Sequence, residues 1–370
     1  MKYIKLIWLI ICLMTMNGIS LYAQNSFYEH YTGLISEELK LTADLVKVKE
    51  GFSGYYYYEF LEEGAWISSK PIPLDGFLDD KNQFVLNEFG DQNSFFQGRL
   101  ENAKLIKGQW VNNALKENID FTLKATYAQG SIPLQLVEKY QAKSLKGQME
   151  PQAEFNLVLL FPEGQLDPAA HHQLNRRIYQ LIGYRGEFEP NENRINTLEE
   201  SYFRQFENAM TQVSIDSFPD HLSWQKSIRM DVINNESSLL CMQIDMYAKT
   251  GKQEGTRVKK YIVFDLVENK LLGISDFINP EHGAEFQAFL DQKLREHYKL
   301  HATTSLTELG FFNNEMKPTS NFYIHPGGLG FYYNIFEIAP FSNGPTDLFI
   351  PWSEMAPFLL DPHPFGVFIN

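Results

Sequence analysis

The sequence predicts an α+β protein: an N-terminal antiparallel β-meander or small barrel, then an α+β domain with a mainly antiparallel sheet and about three helices. Three observations carry this. Between residues 39 and 127 apolar residues recur with period two in short runs, separated by turn residues at roughly ten-residue intervals. Beyond residue 152 three long segments switch to helical spacing, while further strand-like runs lie apart from them. The chain has 370 residues, 44% apolar and 21% charged, which suits two globular domains and excludes disorder, collagen-like repeats and coiled coil.

Residues 1–23 read as a secretory leader. Lys2 and Lys5 precede an unbroken apolar run, Leu6 to Met14, and Leu21-Tyr22-Ala23 ends on a small residue. The run is far short of the ~20 residues that span a bilayer. Cys12 lacks the small residue expected before a lipid-modified cysteine, so the expectation is export to the periplasm or beyond without a lipid or transmembrane anchor. Loss of the leader leaves 30 basic against 46 acidic side chains, a net −16. Such a surface repels nucleic acid and anionic lipid and permits a basic partner. Cys241 is then the sole cysteine, and its setting, Leu239-Leu240-Cys241-Met242, predicts a buried, inert thiol rather than a nucleophile.

Residues 24–127 form the predicted β domain. Leu39, Leu41, Ala43 and Leu45 alternate with polar residues, as do Ile119, Phe121, Leu123, Ala125 and Tyr127. Between them lie apolar runs at 55–58, 72–78, 84–89, 95–100 and 105–111. Gly98 and Gly108, each near an aromatic residue, would let the sheet bend. The run Tyr55 to Tyr58 puts two rings toward the core and two on the outer face; Tyr56 and Tyr58 are candidate binding residues, although packing is the stronger account of the run. Residues 128–151, with Pro133, Gly147 and Pro151 among polar residues, suit a linker or crossing segment.

The α+β domain is expected over 152–370. Phe155 to Phe161 is an apolar strand. Asp167-Pro168 is an N-cap followed by proline at the first helical position, and Ala170, Leu174, Ile178, Leu181 and Ile182 line one face. Thr197 and Glu200 have capping-box spacing ahead of Tyr202, Phe206 and Met210. Strands are expected at 227–233, 239–248 and 258–266, a third helix at 281–300, and closing strands at 321–324, 329–335 and 347–351.

The closing strings Asn321-Phe322-Tyr323-Ile324, Gly328-Leu329-Gly330-Phe331-Tyr332-Tyr333-Asn334, Phe336-Glu337-Ile338-Ala339-Pro340-Phe341-Ser342-Asn343-Gly344 and Phe349-Ile350-Pro351-Trp352 resemble the closing motif of the RsiV/PdaC-type extracytoplasmic domain family. The strand at 155–161 with its following helix, and Lys270-Leu271-Leu272 before Asp276-Phe277, resemble the rest of that module, so the likeness spans about 152–361. The family includes lysozyme-binding anti-sigma-factor ectodomains and non-catalytic regions of peptidoglycan deacetylases, and its function is largely unknown. The resemblance implies an envelope binding module, with Glu337, Tyr332 and Phe341 as motif residues to watch. Where the family places a histidine-bearing turn, this chain has Thr250-Gly251-Lys252-Gln253-Glu254-Gly255, so a contact made through that histidine does not carry over. A β-rich segment resembling 31–127 often precedes the module.

Catalytic and cofactor motifs are weak. His297 and His301, four apart on the expected third helix, have metal-ligand spacing, but no Glu follows His297 as a zincin requires and no third ligand is evident. His171 and His172 point about 100° apart on their helix. Nucleophile elbow, P-loop and dinucleotide fingerprint are all missing, and Gly327-Gly328-Leu329-Gly330 reads as a hairpin, so no catalytic residue and no cofactor is assigned. The favoured expectation is a non-enzymatic envelope protein binding a basic protein such as lysozyme, or a cell-wall glycan. The alternatives are a cell-wall hydrolase or deacetylase with dispersed catalytic residues, and a carrier of a small apolar ligand in the meander.

Overall fold

The computed structural model describes residues 26–35, 39–49, 51–90, 93–145, 151–164, 166–184, 193–211 and 219–369; the leader expected at 1–23 lies outside them. The N-terminal part is a closed barrel. Its strands are β1 (Phe27–Ile35), β2 (Lys40–Val48), β3 (Gly51–Glu62), β4 (Ala65–Ser68), β5 (Ile72–Leu78), β6 (Gln83–Glu88), β7 (Ser94–Asn102), β8 (Leu105–Asn112) and β9 (Glu117–Ala125). The sheet order β2-β1-β9-β8-β7-β6-β5-β3, with β3 pairing back onto β2, makes an antiparallel up-and-down barrel in which β4 only extends the end of β3. Closure removes the exposed edges that a meander of this length would otherwise present.

Alternation decides what fills the barrel. Leu41, Ala43 and Leu45 of β2, Phe52 and Tyr56 of β3, Phe84 and Leu86 of β6, and Phe121 and Leu123 of β9 are buried together inside it. Gly98 and Gly108 sit opposite one another at inward positions of β7 and β8. A Cβ on either would lie 2.1 and 2.0 Å from the facing strand's carbonyl oxygen, so glycine permits the sharp coiling there. Phe96 and Phe121, edge-to-face at 5.2 Å, are part of the packing beside that side-chain-free zone.

The outward row of β1, β2 and β3 is also buried. Tyr28, His30, Asp44, Val46, Ser53 and Tyr57 are all under 9% exposed, because this face lies on β12 (Trp224–Glu236) of the second sheet. The outer-face tyrosines of the 55–58 run therefore cover an interface between the two halves, while Tyr56 and Tyr58 point into the barrel.

The second sheet holds β10 (Leu134–Ser144), β11 (Gln152–Pro162), β12, β13 (Leu239–Thr250), β14 (Thr256–Asp265) and β15 (Lys270–Leu271), in that order. The segment expected to be a linker thus contains a full strand, β10, paired with β11 along its length. Its burial is patchy because it is a sheet edge, and no apolar alternation betrays it. β11 and β12 are parallel, the one parallel pair among the described strands, which requires the long crossover carrying α1 (Pro168–Leu181) and α2 (Asn193–Met210). Asp167 caps α1, its carboxylate accepting from the Ala169 and Ala170 amides. The capping box at Thr197 and Glu200 is not where α2 begins: the helix already runs from Asn193, so both residues sit inside it. Leu174, Ile178, Phe203 and Phe206 bury against Phe155, Leu157 and Leu159.

A third layer holds α3 (Gly283–His297) and the sheet β16 (Phe322–His325), β17 (Gly328–Tyr333) and β18 (Thr346–Pro351). It forms a separate core around Phe277, Phe286, Leu290, Phe331 and Trp352. β15 pairs only with the end of β14, so much of β14 would be left as an open edge. Two asparagines close it. Asn321 Oδ1 accepts from the Tyr261 amide, Asn334 Oδ1 accepts from the Lys259 amide, and both donate Nδ2 to the Lys259 carbonyl. These side chains replace a neighbouring strand and fix β16 and β17 beside β14.

Candidate functional site

Where barrel, second sheet and third layer meet they leave a cleft of about 430 Å³. The barrel contributes Tyr55 with Pro71, Pro73 and Phe89; β14 contributes Arg257, Lys259 and Tyr261; the third layer contributes Tyr323, Tyr332, Asn334 and Asp347. Strand alternation sets this out. Arg257, Lys259 and Tyr261 are two apart on β14 and share a face, and the register Tyr332↔Asp347 places those two side by side on β17 and β18.

Four tyrosines dominate the lining. Tyr55 and Tyr261 both donate their hydroxyls to Gln243 Oε1, at 2.7 and 3.2 Å. Tyr323 donates to Asp347 Oδ1 at 2.9 Å. The Tyr261 ring is 5.0 Å from that of Tyr323 and 5.7 Å from that of Tyr332, over which Lys259 Nζ sits at 5.7 Å. Burial, reinforced by nearby carboxylates, holds all four hydroxyls above the ordinary tyrosine range, so they remain phenols that donate hydrogen bonds. Tyr323 lies directly over Gly330, where a Cβ would come 2.0 Å from the ring.

The charges alternate in sign. Arg257 Nε meets Asp245 Oδ1 at 3.2 Å, and Asp231, which accepts the Ser53 hydroxyl at 2.5 Å, has Arg229 Nε at 3.7 Å. Asp347 is open to the water of the cleft yet has protein packed around it, and this burial raises its carboxyl above the usual range against the opposing pull of the Tyr323 hydroxyl, Lys259 and Lys70. Burial likewise raises the Asp245 carboxyl, against the opposing pull of Arg257 and Lys259. The lining offers apolar ring faces, phenolic donors, an amide, two cations and one carboxyl; among its described residues there is no histidine, serine or cysteine.

The sequence-level candidates fall in different places. Tyr332 is in the cleft. Tyr56 and Tyr58 line the barrel mouth instead, with the Tyr56 hydroxyl donating to Glu88 at 2.5 Å. Glu337 is exposed and holds its own loop: it accepts from the Thr319 hydroxyl at 3.0 Å and the Asn334 amide at 2.9 Å. It thereby supports Asn334 rather than facing the cleft. Phe341 is on the outer surface, 6.0 Å from Phe336, and both are more than half exposed. The histidine pair fails as a metal motif because α3 ends at His297 and Tyr298 is its C-cap; His301 lies past the end, its ring hydrogen-bonded to Thr303 at 2.9 Å. Among the described residues no group of three or more His, Cys, Asp or Glu side chains is placed to hold a metal ion. Cys241 is fully buried, and desolvation pushes its thiol up to about 12. Tyr55, Gln243, Tyr261, Tyr323 and Asp347 were missed by sequence reasoning; the closing motif contained Tyr323, but nothing in it marked Asp347, and nothing local links either to Tyr55.

Residues 275–353 match the family model described as a protein of unknown function, DUF3298. That segment supplies Tyr323, Tyr332 and Asp347, one wall of the cleft. The chain is similar in structure to a member of the DUF3298 family from Bacteroides fragilis, with 21% identity and a TM-score of 0.55, covering 65% of this chain and 98% of that one. It also matches a DUF3298 family protein from Pseudomonas aeruginosa PAO1 with 20% identity and a TM-score of 0.45, over 62% of this chain and 96% of that one. The Bacteroides likeness establishes a shared fold over the aligned part. No curated protein is significantly similar in sequence, and among the described residues no helix is long and apolar enough to cross a membrane.

Proposed function

We propose that this is an exported, non-enzymatic binding protein of the cell envelope whose cleft takes a short segment of cell-wall glycan. The observation that carries the proposal is the composition of the cleft: tyrosine ring faces on three structural layers, around a space of about 430 Å³, with amide, carboxyl and cationic groups between them. Sugar rings present apolar C–H faces to aromatic rings and equatorial hydroxyl or acetamido groups to polar side chains, so this lining suits them on both counts. The leader-like N-terminus and the resemblance of 152–361 to the RsiV/PdaC-type domain support an envelope setting. Titration calorimetry with soluble cell-wall oligosaccharides is the test. Binding that weakens at least tenfold in Tyr332→Ala is expected; no binding at millimolar oligosaccharide sinks the proposal, and released fragments or acetate that vanish in Asp347→Asn would turn it into an enzyme.

One observation favours a second reading, recognition of a basic protein such as lysozyme. Phe336 and Phe341 are exposed at 63% and 51%, and Phe336 is held at φ 64°, an unusual conformation for a bulky residue. They would be anchors on a protein of net charge −14. Lysozyme binding that falls with salt and is lost in Phe336→Ala, but not in Tyr332→Ala, would select this reading over the glycan.

A further inference from the structure

The barrel is packed in its middle and open at one end. Around Leu45, Leu74, Leu86 and Ile106 only about 10 Å³ of free space remains, whereas the end where β1 meets β2 and β8 meets β9 holds a pocket of about 260 Å³. Its walls are Leu39, just before β2, and the inward-facing Tyr58, Phe96, Trp110 and Ile119 of the strands. This is larger than the ~150 Å³ apolar cavity that stays dry and admits benzene. Water gains little there, since the walls are almost wholly apolar.

Among the described residues, two carboxylates, Glu88 and Glu117, stand at this end. Glu88 continues the inward row of Phe84 and Leu86, and its Oε1 accepts from the Tyr56 hydroxyl at 2.5 Å and Trp110 Nε1 at 2.7 Å. Both donors are uncharged, and neither is a counter-ion to the carboxylate. Glu117 continues the inward row of Phe121 and Ile119 to the rim, where it lines the pocket. Among the described residues, the cations Lys40 and Lys116 of this end stay outside. Lys40 points outward, its Nζ 3.6 Å from the centre of the Trp66 ring, and Lys116 is in the exposed β8–β9 turn.

We infer that the barrel mouth is a second binding site, separate from the cleft, for a small amphiphile with a compact apolar body and a positively charged head. The body displaces poorly held water from the apolar walls; the head rests between Glu88 and Glu117. A carboxylate head would face two like charges, so fatty acids are disfavoured. This inference stands apart from the glycan proposal, since none of its residues lines the cleft.

The test is titration calorimetry of the full chain with octylamine, octanol and octanoate, with propylamine as the head without the tail. Octylamine is expected to bind at least tenfold tighter than octanoate, octanol to fall between them, and propylamine to show no saturable binding. Glu88→Gln combined with Glu117→Gln should erase the preference for amine over alcohol. Leu39→Trp, which fills the pocket, should abolish binding of all three; if that variant does not fold, Ile119→Phe is expected to weaken binding at least fivefold. Tyr332→Ala should leave octylamine binding unchanged. Octanoate binding as tightly as octylamine, or octylamine binding that survives pocket filling, overturns the inference.

Discussion

The Tyr57 ring stands edge-on against the His325 imidazole, 4.5 Å between centroids, and so fixes β3 of the barrel to β16 of the third layer. Nδ1 of His325 accepts from the Gly327 amide at 3.1 Å, which makes Nε2 the protonated nitrogen of a neutral ring. Burial holds this histidine down at about 3. The unfolded chain takes up a proton near pH 6.5 and the folded chain does not, so the stability this group contributes is present above that pH and is lost as pH falls toward 3. The slope for one such group is at most ~1.4 kcal/mol per pH unit. In His325→Gln the acid limb of a melting-temperature profile between pH 6.5 and 4 should be visibly flatter than in the wild type; identical limbs would show that His325 is not the neutral buried group.

His30 has the opposite sign at the same junction. It is completely buried, with Nδ1 2.9 Å from Asp44 Oδ1 and Nε2 3.4 Å from Glu236 Oε1, so it joins a barrel carboxylate to one from β12. Burial alone would lower its pKa, but the charges and hydrogen bonds of Asp44 and Glu236 outweigh it and hold the ring up at about 10. Tyr28 donates to the same Asp44 oxygen at 2.6 Å, Tyr57 donates to Glu236, and the Tyr127 ring is 6.1 Å away. The stability from this pair is complete below pH 6.5 and drains away as pH rises toward 10. Chemical denaturation of His30→Gln should show a loss of about 3 kcal/mol at pH 6, from leaving a carboxylate buried without its partner, shrinking toward zero by pH 10. A loss that stays constant with pH would mean the ring is neutral in the fold.

These junction residues also mark how far the sequence could be read. Period-two alternation was enough for most barrel strands because their two faces differ, and helical spacing was enough for α1, where Leu174 and Ile178 repeat on one side. It failed for β1, whose buried positions include a histidine and whose outer face is covered as well. It failed again for β10, an edge strand with few buried residues. Asn321 and Asn334 stood in the quoted motif, but their task of closing the edge of β14 depends on where that strand ends up. The cleft was least legible of all: Tyr55 and Gln243 share a hydrogen bond across 188 positions, and no local pattern encodes a meeting of three layers.

Gly330 tests how closely the cleft wall is built. An added Cβ would meet the Tyr323 ring at 2.0 Å, against a rigid aromatic rather than the free end of a flexible chain. The ring must move, and its hydroxyl leaves Asp347. Gly330→Ala is expected to cost about 1–3 kcal/mol, as overpacking in a tight core does, and to weaken oligosaccharide binding with it. Gly283→Ala, where a Cβ meets nothing within 4 Å, is the control. Equal urea midpoints for the two variants would show that Tyr323 does not depend on the bare glycine beneath it.

Asp347 separates stability from binding. Because burial raises its carboxyl above the ordinary range, the folded chain gives up this proton less readily than the unfolded one. The unfolded carboxyl ionises near pH 4, so above that value the folded state carries a cost that is absent at lower pH. Asp347→Asn keeps an acceptor for the Tyr323 hydroxyl and removes that cost. Its melting temperature should therefore exceed the wild-type value at pH 7, and the difference should close as the pH is lowered to 4. Stability is commonly given up where a ligand is to be held, so the glycan proposal expects the same carboxyl to matter for binding. Oligosaccharide affinity at pH 7 should accordingly fall at least tenfold in the same variant. A variant that gains stability and binds as tightly as the wild type would remove Asp347 from the site and leave its raised carboxyl as a feature of packing alone.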